Sequence, residues 1–260
     1  MKVPLLTWRL WRALRYPDET SPVFQRIQSQ PSLLPGQAWL RRIMPALRYL
    51  SALVSALVVL VAPGVLLLMS NLFGALAALN IMNTINRERE QGTYDLLALT
   101  PFGRGSANWQ IATACLSRLD AIERLASMRS LALLTLILLL VYSLGRETLT
   151  PVLVFGLVLA LNLDAIQTPI IGCLSGMLAQ TFSGHSASFV AVAIFAFAQV
   201  IVVYLPVTEV ALLLYNRLHA RDINRYAADA VVVLVALGLM FGLRELVIRL
   251  MWRELENKLL

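Results

Sequence analysis

The sequence predicts an all-α, polytopic membrane protein with about six transmembrane helices, and two observations support this prediction. Hydrophobic residues make up 58% of the 260 residues and charged residues only 14%, whereas soluble proteins carry roughly 25% charged residues. Long apolar runs, able to cross roughly 30 Å of hydrocarbon as helices, alternate with short polar stretches. A packed core cannot account for so large an apolar excess, so we expect these runs to lie in lipid.

The first 46 residues are predicted to form a cytosolic or interfacial amphipathic arm rather than a span. The stretch Thr7–Arg15 mixes tryptophan and arginine at helical spacing. Such a helix suits the headgroup region, with indoles at the interface and guanidinium groups toward phosphates. The remaining residues, 47–260, are predicted to form one six-helix transmembrane domain.

The apolar runs divide into six spans at their proline, glycine and charged residues. The run 47–85 is too long for one helix and is divided at Pro63-Gly64. A kinked or broken helix is expected at Thr168-Pro169, and Pro206 is expected to close the fifth span. Residues 207–226 are then predicted to form a re-entrant or interfacial hairpin. The expected spans are 47–62, 65–85, 130–145, 150–182, 187–205 and 227–243.

The distribution of basic residues predicts that both termini are cytosolic. In that orientation eighteen of the 22 lysine and arginine residues lie inside, and the four outside are Arg146, Arg217, Arg221 and Arg225. The same bias accounts for the net charge of +7, so we expect membrane lipid and no nucleic acid as a partner.

A dense polar segment, residues 87–101, follows the second span directly and reads Arg-Glu-Arg-Glu-Gln-Gly-Thr-Tyr-Asp-Leu-Leu-Ala-Leu-Thr-Pro. Gly92 can take the positive φ needed to turn out of the preceding helix. Thr93 is placed to cap a short helix, and Asp95 lies in its first turn, where a negative charge suits the helix dipole. Pro101 ends this helix, and Thr100 before it is biased toward extended geometry.

This segment resembles the cytosolic coupling segment in permease subunits of bacterial ATP-binding-cassette exporters. Those segments commonly read Glu-Arg-Glu, a spacer residue, Gly-Thr, two leucines and Thr-Pro. The resemblance implies a permease subunit in the bacterial cytoplasmic (inner) membrane, paired as a homo- or heterodimer and driven by a separate ATP-binding-cassette ATPase subunit. The residues that it would place against the ATPase subunit are Glu88, Glu90, Gly92, Thr93, Tyr94, Asp95, Leu96, Leu97, Thr100 and Pro101.

Residues 106–128 depart from the pattern of that family. They predict an amphipathic helix, with an apolar stripe that includes Ile111 and Cys115, where the family tends to enter its third span sooner. Residues 86–128 are therefore expected to form a longer cytosolic coupling and amphipathic segment.

Several kinds of chemistry are missing from the sequence. It has no Gly-x-x-x-x-Gly-Lys phosphate loop, and its only lysines are Lys2 and Lys258, so any ATP hydrolysis belongs to another subunit. No histidine and cysteine cluster has metal-ligand spacing, and Cys115 and Cys173 read as small buried residues. We expect no enzyme activity and no cofactor.

Asp164 is the one acidic residue well inside a predicted span. It can provide a polar contact along a substrate path, or it can be satisfied locally by Asn162, Gln167 or Thr168; the sequence favours neither reading. On the same run, Gly172 and Gly176 form a Gly-x-x-x-Gly pattern that allows close helix packing.

A second function class stays open. The chain can be a permease-derived structural or accessory subunit of a larger membrane complex, such as an electron-transfer or light-harvesting assembly, with no transport activity. Residues 105–128 and the N-terminal arm would then contact other subunits. His185 and His219 read as interfacial side chains, with pigment ligation as the minority interpretation.

Overall fold

The computed structural model describes residues 5–30, 62–94, 103–118, 151–182, 186–220 and 224–259. These residues form helices and turns, with no strand among them. The helices are α1 (Leu6–Arg15), α2 (Pro22–Ser29), α3 (Ala62–Glu90), α4 (Gly103–Arg118), α5 (Pro151–Leu178), α6 (Ser186–Ala196), α7 (Leu205–His219) and α8 (Arg225–Leu259). A 3₁₀ turn, Ala179–Thr181, follows α5, and a π-helical segment, Phe197–Tyr204, joins α6 to α7.

Four helical stretches are long and apolar enough to cross a membrane. They are Leu67–Glu90, Val152–Thr181, Ser186–Leu218 and Arg225–Asn257, and they correspond to the predicted second, fourth, fifth and sixth spans. The all-α fold is thus confirmed for the described residues, with four helical stretches that are candidates for membrane spans. The predicted spans 47–62 and 130–145 lie outside these residues, except for Ala62, so the count of six and the cytosolic termini stay predictions.

The two prolines that were expected to interrupt the spans have different positions in the helices. Pro169 lies within α5, which continues to Leu178, so the helix that was expected to be kinked or broken there is not broken. Membrane helices tolerate such a proline because neighbouring helices and side chains take up the freed backbone groups. Pro63-Gly64, the expected division between two spans, lies in the first turn of α3, where the missing proline N–H would have no partner in any case, and residues 31–61 lie outside the described ones.

Pro206 does not end the fifth span, and within the predicted hairpin of residues 207–226 the described residues 207–219 continue the helix. The chain passes from α6 through the π-helical segment into α7 without leaving the helix. Pro206 lies in the first turn of α7, where the register changes from π to α, and a proline at that position costs little. One helical stretch of 33 residues, Ser186–Leu218, therefore covers the predicted fifth span and the first part of the predicted hairpin.

Glycine brings α3 and α5 into close contact at the centre of the bundle. A Cβ added at Gly172 would lie 2.4 Å from the backbone oxygen of Gly74, and one at Gly176 would lie 2.7 Å from that of Ala78. The Gly-x-x-x-Gly pattern therefore packs within this chain, against α3. Close backbone approach of this kind is how small residues stabilise helix pairs in membranes.

The short amphipathic helices pack at one end of the bundle. Leu10, Trp11 and Leu14 of α1 and Phe24 and Ile27 of α2 are buried in the same apolar cluster as the inner faces of α3, α4, α5 and α8. Trp109 of α4 and Trp252 of α8 contact edge to face, with ring centroids 5.9 Å apart. This end of the bundle carries the segment 87–94.

Candidate functional site

Polar side chains from all four long helical stretches meet inside the apolar bundle. The residues that form this group, here called the intramembrane network, are Asn71 of α3, Asp164 and Thr168 of α5, Gln199 and Tyr204 of the π-helical segment, and Arg244 of α8. Each lies within a candidate span. Polar groups in such positions are costly and are therefore expected to be paired or functional.

A buried ion pair between Asp164 and Arg244 forms the centre of this network. Nη2 of Arg244 contacts Oδ1 of Asp164, and the two side chains are 0% and 1% exposed. The Tyr204 hydroxyl donates to the same carboxylate oxygen at 2.8 Å, and Thr168 Oγ1 lies 3.1 Å from it. Arg244 Nη2 also lies 3.1 Å from Gln199 Oε1. The network thus links α5, α8 and the π-helical segment.

The π-helical segment aligns two side chains toward Arg244. Gln199 and Tyr204 are five residues apart, so they would diverge by about 140° on an α-helix, which turns about 100° per residue. A π-helix closes its hydrogen bonds between residues five apart and therefore brings them onto one side. The Tyr204 hydroxyl accepts from Asn71 Nδ2 at 2.7 Å, and this contact adds α3 to the network.

Several atoms of the ion pair have no hydrogen-bond partner among the described residues. They are Asp164 Oδ2 and Arg244 Nε and Nη1. The neighbouring Gln167 side chain is also buried, and neither its amide nitrogen nor its amide oxygen has a hydrogen-bond partner among the described residues. A one-oxygen contact between a carboxylate and a guanidinium leaves costly unpaired groups. A two-oxygen contact, or an added polar group, would satisfy these atoms.

The partners expected for Asp164 are only partly those observed. Thr168 contacts it, whereas the Asn162 amide donates to the carbonyl of Val158 at 2.9 Å and Gln167 makes no such contact. Arg244 was missed because the apolar run that predicted the sixth span ends at residue 243. The signal was present in the sequence, since apolar residues resume at 246–248 and the helix continues.

Glu245, the residue after Arg244, contacts the start of α1. Its carboxylate accepts from the backbone N–H of Leu6 at 3.0 Å and of Thr7 at 3.3 Å, and from the Thr7 hydroxyl. Leu5 at the N-cap position makes no side-chain cap, so Glu245 supplies the missing acceptor. A carboxylate there also suits the helix dipole.

Glu88 of the predicted coupling segment is occupied within the chain. Its side chain is 0% exposed and lies 3.3 Å from the Arg26 guanidinium of α2. Gln30 Nε2 donates to it at 2.8 Å, and the Thr93 hydroxyl also contacts it. Glu88 is therefore held inside the chain, whereas the sequence predicted that it would face an ATPase subunit. Burial excludes water and holds this carboxylate against the N-terminal arm, whereas Glu90 is exposed.

Tyr94 joins the same segment to α4 and to the 3₁₀ turn that follows α5. Its hydroxyl lies 3.0 Å from Asn108 Oδ1 and 2.8 Å from Gln180 Oε1, and it donates to one of them. Arg89 lies over the Tyr94 ring, 5.0 Å from its centroid, and donates to the Gln180 carbonyl at 2.5 Å. We call these four residues the Tyr94 cluster.

The turn between α3 and the following helix is made by glycine. Gly92 has a φ of 68°, in the left-handed region that other residues rarely adopt, and a helical turn begins at Thr93. Asp95, Leu96, Leu97, Thr100 and Pro101 lie outside the described residues. The side chains of His185 and His219 also lie outside them.

Neither similarity to known proteins nor metal-binding geometry assigns a function to this chain. No protein-family model, no curated protein and no solved structure matches this chain. Within the ranges that the structure describes, no group of three or more histidine, cysteine, aspartate or glutamate side chains could hold a metal ion. Function must therefore be argued from the network and from the 87–94 segment.

Proposed function

We propose that this chain is the membrane-spanning permease subunit of an ATP-binding-cassette transporter, of the exporter type, driven by a separate ATPase subunit. The observation that carries the proposal is the way in which the 87–94 segment is held. A turn at Gly92 and a new helical turn at Thr93 follow a membrane-length helix, and Glu88 and Tyr94 connect this corner to α2, to α4 and to the 3₁₀ turn that directly follows α5. A force applied to the corner would move those helices and not merely a loop.

The contacts of Tyr94 give the proposed coupling a path into the membrane. Gln180 of the Tyr94 cluster follows directly on α5, and Asp164 lies sixteen residues earlier on that helical stretch, about 24 Å away along the axis. A tilt of α5 would therefore change the distance between Asp164 and Arg244 of α8. The unpaired atoms of that ion pair support two arrangements of the network, as alternating access requires.

The exposed part of the corner supplies the proposed docking surface. Glu90, Gln91 and Gly92 are exposed, and they lead into Leu96 and Leu97. By resemblance, these leucines would seat in a groove of the ATPase subunit. Glu88 is excluded from that surface because it is buried, so Glu90 is the acidic residue that we assign to the partner.

Affinity purification from native membranes followed by mass spectrometry tests this proposal. We expect an ATP-binding-cassette ATPase in near-equal amount to this chain. Leu96→Arg combined with Leu97→Arg should remove the ATPase while leaving the chain in the membrane. As a control, Leu259→Arg combined with Leu260→Arg adds the same charge elsewhere in the chain. This variant should retain the ATPase.

The opposite result would support the accessory-subunit reading. Unrelated membrane subunits in fixed stoichiometry, with no ATPase, would show that the chain serves a larger complex without transport. Retention of the ATPase by the Leu96 and Leu97 double variant would overturn the docking role of the segment.

A further inference from the structure

Helix α1 has one buried face and one face that remains exposed and strongly basic. Leu10, Trp11 and Leu14 are buried in the bundle. The other face is exposed from Trp8 to the C-cap residue Tyr16 and carries arginine and aromatic side chains but no acidic residue. Its members are Trp8, Arg9, Arg12, Arg15 and Tyr16. We call this set the basic face.

The arginines of the basic face are available for an external anion. Among the described residues, Arg9 and Arg12 form no ion pair, and Arg15 lies over the Tyr16 ring, 5.6 Å from its centroid. The nearest acidic residues along the chain follow the helix, and Asp18 accepts hydrogen bonds from Thr20. Three guanidinium groups within seven residues therefore point to a negatively charged partner.

The aromatic residues indicate that this partner is a membrane surface. Trp8 is 53% and Tyr16 69% exposed, although both are large and Trp11 on the opposite face is 6% exposed. Tryptophan and tyrosine are enriched where hydrocarbon meets the headgroups. A soluble anion would need the arginines but would give no reason to expose an indole at one end of the face and a phenol at the other.

Helix α1 has a fixed place on the bundle. Glu245 of α8 accepts hydrogen bonds from the backbone N–H groups of Leu6 and Thr7, and Leu10, Trp11 and Leu14 are buried. The basic face is therefore held outward by contacts at both the start and the opposite face of α1.

From these observations we propose that the basic face of α1 binds the headgroups of anionic phospholipids, with the arginines on phosphate oxygens and Trp8 and Tyr16 at the hydrocarbon boundary. Glu245 holds α1 in place for this contact. Since Arg244 precedes it in α8, lipid bound at α1 is also linked to the intramembrane network. The proposal does not depend on whether the chain is a transporter subunit.

Native mass spectrometry of the full chain in detergent, titrated with phosphatidylglycerol or phosphatidylcholine, tests the proposal. We expect preference for phosphatidylglycerol. Arg9→Gln combined with Arg12→Gln should weaken its binding by about fivefold for each arginine, about 25-fold together. The matched control, Arg217→Gln with Arg225→Gln, removes equal charge at the other end and should bind as the parent does. Equal loss in both double variants, or no lipid preference, would overturn the proposal.

Two further measurements separate the lipid surface from other anion sites. Inorganic phosphate at millimolar concentration should not displace the lipid. Displacement of the lipid at that phosphate concentration would show a soluble-anion site instead and would overturn the proposal. In vesicles of brominated phosphatidylglycerol, the quenched part of tryptophan fluorescence should decrease in Trp8→Phe and persist in Trp11→Phe. Unchanged quenching in Trp8→Phe would place α1 away from the lipid and would also overturn it.

Discussion

Arg244 and Glu245 are adjacent in α8 and bind opposite partners, Arg244 to Asp164 within the bundle and Glu245 to the first turn of α1. Successive residues of an α-helix diverge by about 100°, so one short segment of α8 faces both the membrane interior and the amphipathic arm. A movement of α1 and a change in the intramembrane network are therefore mechanically connected through two consecutive residues.

Replacing one partner of the buried ion pair should destabilise the protein more than replacing both partners. Arg244→Met alone or Asp164→Leu alone leaves an uncompensated buried charge and should cost about 3–5 kcal/mol of stability. The double variant should recover most of that loss. The measurement is thermal unfolding of the purified protein in detergent. The control is Arg249→Gln, because Arg249 is 55% exposed in its pair with Glu245. This substitution should lower stability by less than about 1 kcal/mol. Additive losses in the double variant would contradict the pairing.

Glu245→Gln should loosen α1 without unfolding the bundle. The neutral amide keeps one acceptor oxygen but loses the charge that stabilises the N-terminus of α1, so we expect a loss of about 0.5–2 kcal/mol. Hydrogen exchange should increase in residues 6–15 and stay constant in α5. Glu256→Gln is the control because Glu256 accepts a hydrogen bond from Trp252 of its own helix and forms no ion pair with another of the described helices. Equal exchange in α1 of both variants would argue against capping by Glu245.

Glu88→Gln and Glu90→Gln should have different effects on stability and on partner binding, although the two residues are only two positions apart. Glu88 is buried against Arg26, so its neutralisation should release α2 at a cost of about 1–2 kcal/mol, reduced by the partial exposure of Arg26. Glu90 is exposed, and its change should leave stability unaltered but weaken binding to the proposed ATPase subunit. Proteolysis between α1 and α3 reports the first effect and co-purification the second. The reverse pattern would show that Glu88, and not Glu90, faces the partner.

Gly172→Ala should destabilise the protein, whereas Gly238→Ala should not. A Cβ at Gly172 meets the backbone oxygen of Gly74, which cannot yield as a side chain can, and overpacking of this kind costs about 1–3 kcal/mol. Gly238 has no atom within 4 Å of its added Cβ, so the higher helix propensity of alanine should leave stability equal or slightly raised. Apparent melting temperatures of the two variants in one detergent provide the measurement. A larger loss at Gly238 would show that α3 and α5 do not contact through Gly172.

The sequence by itself determined the all-helical membrane character and the local geometry of the segment after α3. Apolar runs of membrane length can satisfy their backbone groups only as helices or closed barrels, so composition and run length sufficed for the α-helical spans. The turn at Gly92 was equally predictable, because a polar segment between two helices needs a residue that tolerates positive φ.

Only the tertiary structure decided which polar residues meet. Asp164 and Arg244 are 80 positions apart, and Glu245 lies 239 positions from Leu6, so no local pattern relates them. The continuity of the helix past Pro206 depends on the π-helical segment, which brings Gln199 and Tyr204 together and has no sequence signature of its own. Local propensity and hydropathy are properties of short windows. The pairing of buried charges depends on how whole helices pack, and that is determined by the complete chain.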